Sequence, residues 1–251
     1  MTTLAVINQK GGSGKTTTAV NVAAALALAD RRVLLIDLDP QAHATLHLGV
    51  DPMSLNSTMY DVLSNDTPLR EIVVQAPESS LHVAPSHLVL SGTEADLHRH
   101  YAGAMQLRHR ISELDASAWD WVIIDCPPTL TLLTVNALIA ADQLLIPIAA
   151  EYLALAGMAQ LTHTLDQVGR QLGHRHSSAA VVTTRFDTRK RLCHDVVEHL
   201  RTQQPLPMLK TIIRENVSLS EAPSHGQDIF RYAPTSRGAE DYQELAKELM
   251  Q

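Results

Sequence analysis

The sequence predicts a doubly wound α/β fold, a mostly parallel sheet flanked by helices, and three observations predict it. Short continuous runs of Val, Ile and Leu recur along the chain, the pattern of strands buried on both faces. Longer segments with Ala and Leu at helical spacing separate them, and repeated strand–helix alternation implies parallel strands covered on both sides. Of the 251 residues 45% are hydrophobic but only 4% aromatic, so the core is built from Ala, Leu, Val and Ile, as packed βα units require. The length fits one domain spanning residues 1–251, and no linker, repeat or low-complexity run marks a boundary.

Leu4-Ala5-Val6-Ile7 reads as the first strand, followed by a glycine turn and a helix over 16–29. Val33-Leu34-Leu35-Ile36-Asp37 is the next strand. The stretch from about Gly49 to Ser117 is the least regular, and reads as surface helices with one strand at Leu81–Ala84. Regular alternation then resumes: a strand at Trp121–Asp125, a helix over about 130–141, and strands at Gln143–Pro147, Ala179–Thr183 and Leu209–Ile213, with helices near 155–172 and 190–203. Ala239, Tyr242, Leu245, Ala246 and Leu249 form an apolar stripe at helical spacing, among the acids Glu240, Asp241, Glu244 and Glu248. A helix packed on the sheet accounts for it.

The formal net charge of −7 speaks against a protein coated in positive charge, so any nucleic-acid surface has to be local. Cys126 and Cys193 lie far apart and share no ligand spacing, which removes a zinc site and a disulfide framework from consideration. With no export signal ahead of the first strand, a cytoplasmic location is expected.

Asn8-Gln9-Lys10-Gly11-Gly12-Ser13-Gly14-Lys15-Thr16-Thr17 lies between a strand and a helix, the setting a phosphate-binding loop needs. Gly11, Gly12 and Gly14 let the backbone curl around Ser13, so that successive N–H groups point at phosphate oxygens above the partly positive helix end. Lys15 supplies a formal charge to the β- and γ-phosphates, and the Thr16 hydroxyl, opening the helix, is placed to join a magnesium shell. The chain departs from the general pattern G-x-x-x-x-G-K-[ST], because Gln9 stands where the first glycine would be. Lys10 to Thr17 instead resembles the deviant Walker motif of the ParA/MinD superfamily of P-loop ATPases, whose extra lysine precedes the glycines. The resemblance implies an ATP-dependent homodimer in which Lys10 reaches the phosphates of the partner subunit's ATP, with Mg2+ as the metal.

Two more segments place acids at strand ends, where open α/β sheets gather their ligands. Asp37-Leu38-Asp39-Pro40 resembles the family's second signature, which gives Asp39 the role of orienting the attacking water and sets Asp37 close to the metal. A plain turn with a helix cap would use the same residues. Asp125, before Cys126-Pro127-Pro128, resembles the Walker B acid that holds magnesium through water.

Asn216 to Gly226 and Ser236-Arg237-Gly238-Ala239 resemble stretches of Soj-type ParA proteins, extending the likeness over nearly the whole chain. By that resemblance Arg214 and Asn216 lie beside the adenine or ribose. The protein would then be a partitioning ATPase that binds nucleoid DNA without sequence preference and hydrolyses ATP when a ParB-like partner stimulates it. Arg189, Lys190 and Arg191 fall where such proteins carry DNA-binding cations, although a solvated helix start explains them equally well. Glu215 and Ser218 replace two arginines of the family pattern, which weakens the expected DNA surface. A membrane-associated switch of the MinD kind and a regulatory ATP switch with little hydrolysis are the alternatives. No membrane contact is expected, because the acidic C-terminal segment suits anionic lipid poorly. Three His/Arg groups, at 98–100, 108–110 and 174–176, read as solvated faces or turns.

Overall fold

The computed structural model describes residues 1–99, 103–151, 154–172, 176, 178–203 and 205–251. In chain order its elements are β1 (Thr2–Val6), α1 (Lys15–Leu28), β2 (Val33–Asp37), α2 (His43–His47), α3 (Met59–Ser64), α4 (Leu69–Ile72), β3 (Val74–Gln75), β4 (His82–Ala84), α5 (Thr93–Arg99) and α6 (Gln106–Ser112). There follow β5 (Trp121–Asp125), α7 (Leu132–Ala140), β6 (Gln143–Ala149), α8 (Ala154–Leu172), β7 (Ser178–Phe186), α9 (Arg191–Gln203), β8 (Met208–Arg214), α10 (Val217–Glu221), α11 (Ile229–Tyr232) and α12 (Arg237–Leu249).

Among the described residues the strands form one sheet in the order β3-β4-β2-β5-β1-β6-β7-β8. Every pairing is parallel except that of β3 with β4. Alternation of side chains divides the apolar residues between two faces. Val122 and Ile124 of β5 join the layer beneath α6, α7 and α8, with Ala5, Leu34, Ile36 and Ile146. Trp121 and Ile123 join the layer beneath α1 and α12, with Leu4, Val6, Leu35 and Leu145. α1 is nearly all buried through its Ala-rich middle, since small side chains let it settle between the sheet and its neighbouring helices.

The structure corrects three details of the sequence reading. Residues 49–117 contain a second strand, the two-residue β3. Their helices are more than a surface layer, because Met59, Val62, Leu63, Leu97 and Leu107 are buried against the sheet. Arg110 is not part of a solvated face either: its side chain is buried and pairs with Asp66 and Glu113. His176 donates through Nε2 to the Leu138 carbonyl at 2.8 Å, while His100, His174 and Arg175 lie outside the described residues.

The C-terminal stripe packs inward, with Ala239, Tyr242, Leu245 and Ala246 buried. Its acids work on the neighbouring strand. Glu248 accepts from the Lys210 and Thr211 backbone N–H groups at 2.7 and 3.0 Å, and Asp241 accepts from the Arg214 N–H at 2.8 Å and from its guanidinium. Among the described residues no helix is long and apolar enough to cross a membrane.

One close backbone approach ties the loop after α2 to the turn before α11. Gly226 has φ +64°, and a Cβ there would stand 2.8 Å from the Gly49 Cα. Gly226→Ala should therefore cost about 2–4 kcal/mol, from left-handed strain plus the clash. Urea denaturation measures the loss; Gly92→Ala, where a Cβ meets nothing within 4 Å, should change stability far less.

Candidate functional site

The carboxyl ends of β1, β2 and β5 converge because these strands are neighbours in parallel register. Val6 pairs with Asp125, and Asp125 pairs with Asp37. The first strand therefore delivers its glycine loop to the edge where the other two deliver their acids.

The loop takes its curl from Gly12 and Gly14, at φ +74° and +86°. Asn8 braces it, donating through Nδ2 to the Pro147 carbonyl at 2.7 Å and accepting from the Lys10 N–H at 2.9 Å. On the other side the Thr184 hydroxyl donates to the Ser13 carbonyl at 2.8 Å. Gly14 caps α1 without any side-chain hydrogen bond to the helix end, so the first N–H groups of Lys15, Thr16 and Thr17 remain free for a ligand. Ser13 Oγ is buried and unpartnered.

Lys15 is 7% exposed, and its ammonium makes only a long contact, 3.4 Å, to the Lys10 carbonyl. Burial lowers its pKa, while the charges of Asp125 and Asp39 oppose that shift. Lys10 is turned away from the loop interior and pairs with Glu151 at 2.8 Å, which holds the Glu151 carboxyl below its usual range.

Asp37 is fully buried and accepts from the Thr45 N–H and hydroxyl at 2.8 and 2.7 Å and from the Asp39 N–H at 3.1 Å. Burial nevertheless pushes it up to about 6. Asp125 is also fully buried, and both its carboxylate oxygens lack a hydrogen-bond partner. Burial first, then the charge of Asp37, raises its pKa well above the ordinary value, against a weaker opposing pull from the nearby Thr16 hydroxyl and the Lys15 ammonium. Asp39 is 7% exposed. Its carbonyl accepts from Ser86 Oγ at 2.7 Å and its carboxylate from the Gln41 N–H at 3.0 Å.

The arrangement can hold a polyphosphate and a hard cation. It offers free amides, a buried ammonium, the Thr16 hydroxyl and oxygen donors with unfilled bonding capacity. Among the described residues no three or more of His, Cys, Asp and Glu stand together as a complete cage. A cation would thus lean on ligand oxygens, as magnesium does when phosphates complete its shell.

A cavity of about 310 Å³ opens beside the loop, lined among others by Gly12, Thr17, Thr184, Arg214 and Asn216. The two C-terminal residues expected near a nucleotide thus reach the site, but their side chains are engaged. The Arg214 guanidinium is held by Asp241 and Glu240, and Asn216 caps α10 by accepting from the Ser218 N–H. Of the basic cluster, Arg189 and Lys190 line a second hollow with Val217 and Arg237, which adjoins the first through Arg214 and Glu215. Arg189 forms a two-pronged pair with Asp187 at 2.9 and 3.0 Å. Lys190 lies 3.4 Å from both Asp187 and Glu215, and Arg191 is almost fully exposed.

Several supporting residues escaped the sequence reading: Asn8, Thr45, Ser86, Glu151, Thr184 and Arg185. Glu151 follows β6 by two residues and Arg185 lies one residue before the end of β7, whereas the sequence reading ended these strands at Pro147 and Thr183, which left neither residue at a strand end.

The AAA_31 family model, described as an AAA domain, matches residues 1–177. The chain is 43% identical over 247 residues to the chromosome partitioning protein ParA of Myxococcus xanthus, covering 98% of this chain and 87% of that one. It is 42% identical over 246 residues to the sporulation initiation inhibitor protein Soj of Bacillus subtilis, covering 98% and 97%. Among solved structures, one named cobyrinic acid a,c-diamide synthase from Mycobacterium smegmatis, with bound ADP and magnesium, superposes with a TM-score of 0.86 at 34% identity, covering 100% of this chain and 94% of that one.

Because the Asp125 carboxyl is fully buried beside Asp37 with its pKa raised, Asp125→Asn should raise the melting temperature of the ligand-free protein at pH 8. An acid whose native pKa is raised destabilises the fold above that value and ceases to do so below the ordinary carboxylate range. The advantage of the variant should therefore shrink as the pH falls toward about 4. Melting curves across that range check both the sign and the window.

Proposed function

The chain belongs to the AAA_31 family and, within it, to the ParA and Soj partitioning ATPases, and from that premise we propose a positioning cycle. The protein binds ATP with magnesium, pairs with a second copy in that state, binds nucleoid DNA without sequence preference, and hydrolyses ATP slowly until a ParB-like partner accelerates it. The observation that carries this reading is the meeting, at one sheet edge, of an uncapped helix end, a buried lysine and two buried carboxylates, one with unpartnered oxygens.

Each residue then has a task. Amides of Gly11 to Thr17 cradle the phosphates, and Lys15 neutralises the β- and γ-oxygens, a duty its dry surroundings strengthen. Thr16 would hold magnesium through its hydroxyl, with Asp125 and Asp37 as the acids that would support it. The bound metal supplies charge neutralisation of the β- and γ-phosphate oxygens. Asp39 orients the attacking water and draws off its proton. Lys10 leaves Glu151 and crosses to the nucleotide of the second copy, making dimerisation depend on the triphosphate. Backbone groups of Arg214 to Asn216, whose side chains are otherwise engaged, face the base or ribose.

A membrane switch would require the apolar stripe of α12 to be free for lipid; it is packed on the sheet. For DNA, Arg189, Lys190 and Arg191 form the contact surface, assisted by Arg237. The ion pairs with Asp187 and Glu215 have to be exchanged for phosphate contacts, so binding should be weak and strongly salt-dependent.

Asp39→Ala should retain ATP-dependent dimers while phosphate release falls by about a hundred-fold, the usual worth of a positioned base; unchanged release would remove Asp39 from its role. DNA titrations with ATP, ADP and no nucleotide, at several salt concentrations, test the cycle itself. Only the ATP state should bind, and Arg189→Glu should lower affinity and flatten the log–log salt slope by about one. Binding that ignores the nucleotide would refute the cycle.

A further inference from the structure

Arg185 lies in a distorted part of β7. Thr183 pairs with Ile212 of β8, but the next register partners are Phe186 and Arg214, so β7 carries an extra residue there. Bulges of this kind re-aim a side chain and gather beside functional sites. Arg185 also adopts φ +52°, a left-handed conformation that is costly for a residue with a Cβ and that persists where the surrounding structure imposes it. The re-aimed side chain points toward the phosphate loop. Its Nη1 donates to the Gly12 carbonyl at 3.4 Å and lies 3.9 Å from Glu151 Oε1. Both contacts are long, and the side chain remains 54% exposed at the wall of the cavity beside Gly12 and Thr17.

Of the other described cations near the loop, two are held by ion pairs. Arg214 is clamped by Asp241 and Glu240, and Lys10 is closed on Glu151 at 2.8 Å. Arg185, like Lys15, is thus a loosely held cation beside a loop built to receive negative charge, and a strained backbone keeps it there. A guanidinium in that place offers forked donors suited to phosphate oxygens.

We propose that Arg185 is a nucleotide-binding residue that contacts a phosphate group of the ATP bound in its own subunit, exchanging its long contact with Glu151 for a charge-assisted hydrogen bond. The proposal rests on the nucleotide-binding reading above and adds a second cation, beside Lys15, to the same subunit's site.

The test compares wild type with Arg185→Met, which keeps an unbranched apolar stem, and Arg185→Gly, which relieves the left-handed strain. Affinities for ATP, ADP and adenosine are measured by calorimetry or competition with magnesium present, and each ligand-free protein is melted. Both variants should bind ATP about five- to twenty-fold more weakly, one charge-assisted hydrogen bond discounted for its exposure. Adenosine affinity should not change, because the contact is to phosphate. Arg185→Gly should melt higher than wild type and still bind ATP poorly, which separates ligand contact from fold support. Equal losses for adenosine and ATP, or ATP affinity at the wild-type level in either variant, would overturn the proposal. If the wild-type protein itself binds no adenine nucleotide, the functional reading fails instead.

Discussion

The register that sets Asp37 beside Asp125 on adjacent parallel strands is the constraint on which the rest of the site depends. Both carboxyls are fully buried, and in that setting two like charges are expensive to keep together. The fold eases one of them with three hydrogen bonds and leaves the other with none. Lys15, itself dried by burial, is the nearby countercharge. Such a cluster is under-neutralised by its own chain, and a divalent ion with phosphate is the kind of guest that balances it.

The surrounding structure holds this imbalance in place. Asn8 anchors the loop to β6, Thr184 anchors it to β7, and Thr45 and Ser86 fix the acids from the opposite side. These braces come from separate stretches of the chain, and each is a neutral group that binds backbone or carboxylate without adding charge. Rigid support of this kind is what lets an uncompensated site persist in a stable fold.

The sheet and its main elements were legible in the sequence because continuous apolar runs and Ala/Leu periodicity report burial directly. Strand ends differed by up to two residues at Leu4–Ile7, where the strand is Thr2–Val6, and by up to three at Ala179–Thr183, where the strand extends through Phe186. The region 49–117 was read least well: its helices are short, and β3 has only two residues, too few for any period to show. Within the site, the loop and the strand-end acids were visible because their spacing is local. Glu151, Thr184 and Arg185 were not, since each acts through a partner well over a hundred residues away in sequence. Nor could spacing reveal that Arg189 and Lys190 are already paired with Asp187 and Glu215.

The carboxylate of Glu248 on the outermost strand β8 has a consequence for how copies of the chain can gather. It occupies the N–H groups of Lys210 and Thr211, two backbone donors of that strand, and the opposite margin is a strand of only two residues. Fibre growth by strand addition is thus discouraged at both margins. Any contact between copies is left to faces and loops, which can part without unravelling a subunit.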